Sequence, residues 1–239
     1  MHQNAAEFQS SVDDVFARIA GRYDMLCDIF SFGIHRLWKG RMAKAMAAEE
    51  GSSILDVASG TGDIAKRYLT HIKDNRPVQI LVTDICPDML EVAKNKLGPS
   101  SNRHDFRLLD VYDMDTIADA SIDICSFSFA MKICERDRVM EEVFRVLRPG
   151  GVFYCLEASE IFIPIIQRVY LKYMSWCMPV IGRLAANGDG SAYAYLLRGI
   201  KDFPAPEKLS EEFVERGFHQ VSYQRLSLGI TALHRAIKP

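Results

Sequence analysis

The sequence predicts an α/β fold built on a mostly parallel sheet, and two patterns support this class. Between residues 53 and 157, short apolar runs alternate with amphipathic segments of ten or more residues, which is typical of β-α-β units. The last two apolar runs, 220–226 and 230–236, have no helix between them. Because a parallel crossover needs about a dozen residues, we expect these two runs to pair antiparallel.

Each element has a local signal. Residues 1–50 have apolar side chains at helical spacing, which predicts a helical N-terminal extension. Pro87 favours a helix start, because its missing N–H is not needed there. Arg148-Pro149-Gly150-Gly151 is typical of a helix end followed by a tight turn. The predicted strands are 54–58, 78–83, 106–109, 121–129, 152–156, 220–226 and 230–236, and the helices among them are 63–72, 87–97, 136–147 and 205–216.

Composition excludes several classes of protein. The chain has 239 residues, of which 49% are hydrophobic and 25% charged, and its formal net charge is −2. Without a basic excess there is no electrostatic reason to expect a nucleic-acid partner. The six cysteines form no CxxC pair, so we predict neither a metal site nor disulfides. Residues 1–16 lack the pattern of a secretory signal, and we expect a cytoplasmic protein.

A glycine turn follows the first predicted strand. Residues 60–65 fit the GxGxxA fingerprint of nucleotide-binding turns, and Asp84 follows about 20 residues later, where an acid can accept hydrogen bonds from a ribose. This pattern alone also suits a nicotinamide-dependent oxidoreductase. Asp56 argues against a nicotinamide dinucleotide and for a cationic ligand, because its carboxylate would repel a pyrophosphate but attract a positive charge. Asp110 and Glu157 also end predicted strands, which favours a cationic cofactor.

The segment from Leu55 to Asp63, LDVASGTGD, resembles motif I of class I S-adenosylmethionine-dependent methyltransferases. Further segments resemble one branch of that superfamily, the ubiquinone/menaquinone biosynthesis C-methyltransferases. These segments are Arg22-Tyr23-Asp24, residues 31–39 (SFGIHRLWK), Asp84-Ile85 with Met89-Leu90, residues 145–151 (RVLRPGG), Ile181-Gly182-Arg183, and Gly229-Ile230 with Ala232-Leu233-His234.

The resemblance implies a Rossmann-like class I methyltransferase fold: a mostly parallel seven-stranded sheet with an antiparallel last strand, an N-terminal helical lid and an inserted helical cap. We expect a single domain, 1–239. Its predicted parts are the N-terminal extension 1–50, a cofactor-binding core 51–160, a helical cap 161–204, and a C-terminal helix with the closing strands 205–239.

The resemblance also implies S-adenosylmethionine as cofactor and a set of residues around it. Thr61 and the turn of Gly60 and Gly62 would contact its methionine end, with the charge of Asp56 behind them. Asp84, followed by Ile85, would bind the ribose hydroxyls. The remaining expected contacts are Asp110 and Val111 at the adenine, Ser128 near the sulfonium, and Tyr23 on the lid.

The acceptor side departs from the family pattern. Where quinone methyltransferases usually continue with Gly, an aliphatic residue, Arg, Asn and Val, residues 130–134 read Ala-Met-Lys-Ile-Cys. Lysine is a point charge without the fork of arginine, and isoleucine cannot hydrogen-bond through its side chain. Four residues are candidates for removing the acceptor proton, and each also has a purely structural interpretation: His35, Lys132, Glu157 and Tyr193.

The predicted function is methyl transfer from S-adenosylmethionine to an aromatic acceptor, foremost C-methylation of a quinone or quinol precursor or of a related small aromatic metabolite. Two alternatives stay open: a nicotinamide-dependent oxidoreductase, and a protein that binds the cofactor but has lost or changed the reaction. Prolines and charged residues interrupt the apolar stretch 161–184, so it does not suit a transmembrane helix. It is compatible with peripheral membrane contact or a homodimer interface.

Overall fold

A computed structural model of the chain describes residues 16–72, 76–161, 163–185 and 198–239, with the backbone alone for 178–185. Residues 1–15 of the predicted N-terminal extension lie outside these ranges, and so does the candidate base Tyr193.

Strands and helices alternate as the sequence predicts. The strands are β1 (Ser53–Val57), β2 (Gln79–Asp84), β3 (His104–Leu108), β4 (Ile122–Ser128), β5 (Leu147–Ala158), β6 (His219–Leu226) and β7 (Thr231–Ile237). The helices are α1 (Tyr23–Ser31), α2 (His35–Ala48), α3 (Asp63–His71), α4 (Pro87–Leu97), α5 (Arg136–Val146), α6 (Pro164–Ala185) and α7 (Pro206–Glu215).

In the described part of the chain, seven strands form one sheet in the order β3-β2-β1-β4-β5-β7-β6. Neighbours from β3 to β5 pair parallel, whereas β7 is antiparallel to both β5 and β6. The predicted mostly parallel sheet with an antiparallel last strand is therefore confirmed. The order reverses direction beside β1, and such switch points place ligand sites at the carboxyl ends of the strands.

The sheet is covered on both faces, because successive strand residues point to opposite sides. Ile124 packs with α2, α3 and α4, whereas its neighbour Cys125 packs with α5 and α7. Cys125 and Cys155 are fully buried, which agrees with their predicted place in central strands. Continuous apolar strands are what a doubly covered parallel sheet requires.

The N-terminal extension is helical, as predicted, and it is divided into two helices, because Phe32 and Gly33 adopt left-handed backbone angles (φ 51° and 74°) and turn the chain between α1 and α2. One local feature differs from the prediction. The segment 148–151 is a bulge near the start of β5 rather than a turn before it, since Leu147 already pairs with Ile122. Among the described helices, none is long and apolar enough to cross a membrane.

Candidate active site

Two cavities meet above the carboxyl ends of the strands. The first, here called the strand-end cavity, has a volume of about 870 Å³ and lies over β1, β2 and β4. The second, the lid cavity, has about 1200 Å³ and lies between the core, α1, α2 and α6. The residues that line both are Tyr23, Ala58, Gly60, Ser128 and Phe129. We call these five residues the shared wall.

The glycine turn opens toward the cavities at one of its two glycines. Gly60 has a left-handed φ of 56°, and a Cβ built on it would meet nothing within 4 Å. A Cβ on Gly62 would lie 3.0 Å from Cβ of Ala93 and 3.1 Å from Cδ1 of Leu97. Gly60 therefore leaves space for a ligand, whereas Gly62 lets α3 pack closely on α4.

Two predicted carboxylates line the strand-end cavity. Asp84, at the end of β2, accepts hydrogen bonds from the backbone N–H of Gly60 (2.7 Å) and of Cys86 (2.9 Å). Asp110 accepts one from the N–H of Tyr112 (2.9 Å). These backbone donors fix the carboxylates and place both at one edge of the sheet. The predicted contacts Ile85 and Val111 also line this cavity.

Three predicted cofactor residues lie outside the lining of both cavities: Asp56, Thr61 and Gly62. Asp56 is fully buried below the turn, where its Oδ1 accepts a hydrogen bond from Ser126 Oγ (2.6 Å). Its Oδ2 has no hydrogen-bond partner among the described residues. Burial raises the pKa of the Asp56 carboxyl to about 7, so at neutral pH a fraction of it is neutral.

Thr61 instead belongs to a polar network that joins the N-terminal helices to the core. Its Oγ1 donates to Asp24 Oδ1 (2.6 Å) and accepts from Lys96 Nζ (2.8 Å). Lys96 also contacts Asp24 and Asp63, and Lys39 lies 3.3 Å from Asp63. Although burial of Asp63 acts against it, the charges of Lys39 and Lys96 lower the pKa of its carboxyl well below the usual value.

The lid cavity has a mainly apolar and aromatic lining, contributed by Phe30, Phe32, Trp38, Tyr170 and Tyr173 among others. Phe32 stacks on Tyr173 with ring centroids 5.5 Å apart, which joins the α1–α2 turn to α6. Trp38 Nε1 donates to Ser227 Oγ (2.8 Å), which fixes the indole next to the shared wall. The structure thus assembles this cavity from segments more than 100 residues apart.

Two candidate bases from the acceptor side form one buried pair. Lys132 Nζ lies 3.1 Å from Glu157 Oε1 and donates to the carbonyl oxygen of Phe129. The side chains are 8% and 1% exposed. Lys132 lines the lid cavity, whereas Glu157 lies behind it and also accepts from the Ala158 N–H. The lid cavity is therefore lined by a cationic side chain, Lys132, which is paired with the carboxylate of Glu157 behind it.

His35 also lines the lid cavity, at the start of α2. Its Nδ1 is 2.7 Å from Ser31 Oγ, on the other side of the α1–α2 turn. Burial, together with the charge of Lys39, lowers the pKa of His35 to about 4. The imidazole is therefore neutral at neutral pH and is hydrogen-bonded across the turn.

Sequence reasoning missed several lining residues. In the strand-end cavity these include Cys86, Met89, Leu109, Tyr112, Ile133 and Cys134. Cys86 and Leu109 stand within two residues of the predicted acids, so the rule that strand ends form the site could have found them. Phe30 and Phe32 carry no comparable signal, because an aromatic residue in a helical extension is equally suited to a core. Burial raises the pKa of the Cys134 thiol to about 12, so this thiol stays protonated at neutral pH.

Comparison with known proteins places this geometry in context. The model of the ubiE/COQ5 methyltransferase family matches residues 3–238. A mitochondrial 2-methoxy-6-polyprenyl-1,4-benzoquinol methylase of Schizosaccharomyces pombe is 37% identical, over 97% of this chain and 80% of that protein. A ubiquinone/menaquinone biosynthesis C-methyltransferase of Brucella anthropi is 34% identical, over 98% of this chain and 89% of that protein.

Solved structures agree on the fold. A SAM-dependent methyltransferase from Thermotoga maritima, described as a possible histamine N-methyltransferase, has a TM-score of 0.63 at 16% identity, covering 95% of this chain and 100% of that one. The trans-methyltransferase CalH in complex with SAH has a TM-score of 0.58 at 17% identity, covering 85% of this chain and 55% of that one. The predicted class I methyltransferase fold is confirmed.

Proposed function

Because the chain belongs to the ubiE/COQ5 methyltransferase family, we propose that it methylates a ring carbon of a quinol-type aromatic acceptor. It is an S-adenosylmethionine-dependent methyltransferase, and the nicotinamide-dependent alternative is not favoured. The main structural support for this proposal is the shared wall. A cavity with carboxylates at its edge and a larger aromatic cavity meet at Gly60, Ser128 and Phe129, as a transfer between two bound molecules requires.

The residues of the strand-end cavity fit an adenosine-containing cation. The Asp84 carboxylate, held by two backbone donors, can accept hydrogen bonds from vicinal hydroxyls. Ile85 and Val111 offer apolar surface to the faces of a base, and Asp110 offers an acceptor to its amino group. Gly60 leaves backbone free for close approach. When bound, S-adenosylmethionine supplies an electrophilic methyl group on a sulfonium.

We assign Asp56, Thr61 and Gly62 to support of the turn rather than to direct contact. Asp56 lies below it, and Gly62 lets its helix pack. Thr61 is engaged by Asp24 and Lys96. This assignment refines the sequence prediction, in which Thr61 and Gly62 contacted the cofactor and Asp56 acted on it through its charge.

The lid cavity suits a flat and lipophilic acceptor. Aromatic side chains stack on rings and exclude water from the reaction. The Schizosaccharomyces pombe relative is named for a polyprenyl benzoquinol, which combines a ring with a long apolar tail. The lid cavity is also open to solvent and its lining is mainly apolar, so a tail can extend outward from a ring bound inside it.

Lys132 is the residue we assign to activation of the acceptor. A ring carbon next to a hydroxyl becomes nucleophilic when that hydroxyl loses its proton to water, and after methyl transfer the proton on the same carbon also leaves to water as the ring regains its aromaticity. The Lys132 ammonium can donate to the ring oxygen and thereby favours its anionic form, while Glu157 keeps the lysine in place. We propose a positioning role for His35, since it is neutral and bridges the α1–α2 turn.

Methyl transfer from isotopically labelled S-adenosylmethionine to a short-chain benzoquinol tests the proposal. We expect equal amounts of S-adenosylhomocysteine and of a quinol that carries the label on a ring carbon, identified by mass spectrometry. Label on a ring oxygen would contradict C-methylation. Cofactor binding without product from any benzoquinol or naphthoquinol would instead favour the alternative that the protein binds the cofactor but has lost or changed the reaction.

We also propose a single methyltransferase domain and a cytoplasmic location. Support for the domain comes from one sheet that runs from β1 to β7 across the described residues. Support for the location comes from the cysteines, all six of which are free, as is usual in a reducing compartment.

A further inference from the structure

Helix α6 presents an unusual outer face. Ile165, Val169, Lys172 and Trp176 follow at intervals of four, three and four residues, so they lie on one side of the helix. Ile165, Val169 and Trp176 are 64%, 63% and 72% exposed. Exposed apolar groups this large and this close together mark an interaction surface rather than an ordinary exterior.

The charge of α6 has one sign. Its 22 residues include Arg168, Lys172 and Arg183 but no aspartate or glutamate. Arg168 and Lys172 are exposed and form no ion pair with a described residue. Apolar side chains, a tryptophan and cations on one helical face are the composition of helices that lie in the surface of an anionic bilayer.

A second exposed apolar set continues this face. Met25 and Ile29 lie four residues apart on α1, and Phe32 directly follows the last residue of this helix; the three side chains are 53%, 43% and 76% exposed. Phe32 stacks on Tyr173 of α6, so the two sets meet. At the same rim Asp28 is neutralised by Arg36, with Oδ2 and Nη2 2.5 Å apart.

The junction of the two sets lies at the lid cavity. Phe32 and Tyr173 line that cavity, and Phe32 is also largely exposed. An exposed apolar surface is thus continuous with the lining of the proposed acceptor site. A lipophilic tail is able to pass from a bilayer into the cavity without crossing water.

We infer that the outer faces of α1 and α6 form a docking surface for an anionic lipid bilayer, which delivers a membrane-held acceptor to the lid cavity. The apolar side chains enter the headgroup region, while Arg168 and Lys172 contact lipid phosphates. This rests on the proposed function, because a lipophilic acceptor gives the contact its use.

Vesicle co-sedimentation of the full chain tests the surface. One vesicle type contains phosphatidylcholine alone and the other adds phosphatidylglycerol. Basic side chains near an anionic surface add to membrane binding, so we expect Arg168→Glu/Lys172→Glu to weaken binding to the anionic vesicles at least tenfold. Ile165→Ser/Trp176→Ser should weaken binding to both types.

Matched controls lie on α7: Val214→Ser, at a side chain that is 58% exposed, and Lys208→Glu. Both should bind like the parent. The inference is overturned if the parent does not bind anionic vesicles, or if the α6 variants bind as tightly as it does. It is also overturned if light scattering shows a dimer that Ile165→Ser/Trp176→Ser dissociates, because the face is then a protein interface.

Activity on a short-chain, water-soluble quinol separates this inference from the proposed function. We expect the α6 variants to methylate that acceptor at the parental rate and to lose activity only on a polyprenyl acceptor in vesicles. If the parent binds vesicles but methylates no quinol, the proposed function fails and the docking surface stands.

Discussion

The strand-end cavity and the lid cavity are built in different ways. Asp84 and Asp110 sit within two residues of strand ends and are fixed by the backbone donors of adjacent turns. The lid cavity takes Phe32 from the turn after α1 and Tyr173 from α6, 141 positions later in the chain. In our proposal, the sheet edge binds the cofactor, which many enzymes share, whereas the helices bind the acceptor, and their side chains can change without altering the sheet.

This difference predicts that substitutions in the two cavities affect different measured constants. Changes in the strand-end cavity should affect cofactor affinity and leave the acceptor KM unchanged, and changes in the lid cavity should do the reverse. The buried groups between the two cavities should affect stability most.

The largest effect is expected for Glu157→Gln, which leaves Lys132 buried without a counter-charge. Breaking a buried ion pair costs about 3 to 5 kcal/mol of unfolding free energy. Denaturant unfolding measures this cost. Glu207→Gln, which breaks the exposed pair with Arg225, should cost at most about 1 kcal/mol. The double variant Lys132→Met/Glu157→Leu should regain stability without regaining activity. If Glu157→Gln and Glu207→Gln lower the unfolding free energy equally, Lys132 and Glu157 do not form a buried ion pair.

Asp56→Asn should change how stability depends on pH. The folded Asp56 carboxyl has a pKa of about 7 against 3.8 ordinarily, so between these values the folded protein keeps a proton that the unfolded chain releases. The contribution of this group to stability therefore falls as pH rises from about 4 to 7. Between pH 4 and 8, the unfolding free energy of the variant should rise relative to that of the parent by up to about 4 kcal/mol. A difference between the two proteins that does not change with pH would contradict a raised pKa.

Asp84→Ala should weaken S-adenosylmethionine binding by about tenfold to a hundredfold, which is the range for hydrogen bonds to a charged group. Calorimetry gives the Kd, and the acceptor KM at saturating cofactor should not move. The control Asp105→Ala removes a carboxyl on β3 that bonds Ser100 outside both cavities. A shift in acceptor KM as large as the shift in cofactor Kd would argue that the cavities do not divide the two ligands.

Tyr173→Leu should have the smallest effect of the four. In contrast to Asp84→Ala, it should change the acceptor KM and not the cofactor Kd. Tyr173 lines the lid cavity, and an aromatic contact with a bound ring is worth about 0.5 to 1.5 kcal/mol, so we expect the acceptor KM to rise about three- to tenfold while the cofactor Kd is unchanged. Tyr223→Leu on β6, outside both cavities, is the control. An unchanged KM for Tyr173→Leu would exclude the lid cavity as the acceptor site.

The strand-end cavity depends on local signals and the lid cavity on contacts between distant segments, and this difference explains what the sequence could predict. Periodicity and turn signals predicted the strands, because these signals are local, and the acids at predicted strand ends, Asp84 and Asp110, line the strand-end cavity. Thr61 was predicted to face the cofactor, yet Asp24, 37 residues earlier, engages its hydroxyl. Lys132 and Glu157 were separate candidates, and their pairing across 25 residues depends on strand and loop packing. The break at Phe32 and Gly33 has no periodic signal, since left-handed angles do not interrupt the apolar pattern.

A crystal structure with S-adenosylhomocysteine tests the central claim most directly. We predict the ribose hydroxyls on the Asp84 carboxylate, the adenine between Ile85 and Val111, and the sulfur at the shared wall, facing the lid cavity past Ser128. A ribose away from Asp84, or a sulfur directed away from the lid cavity, would contradict the division of the site into a cofactor side and an acceptor side.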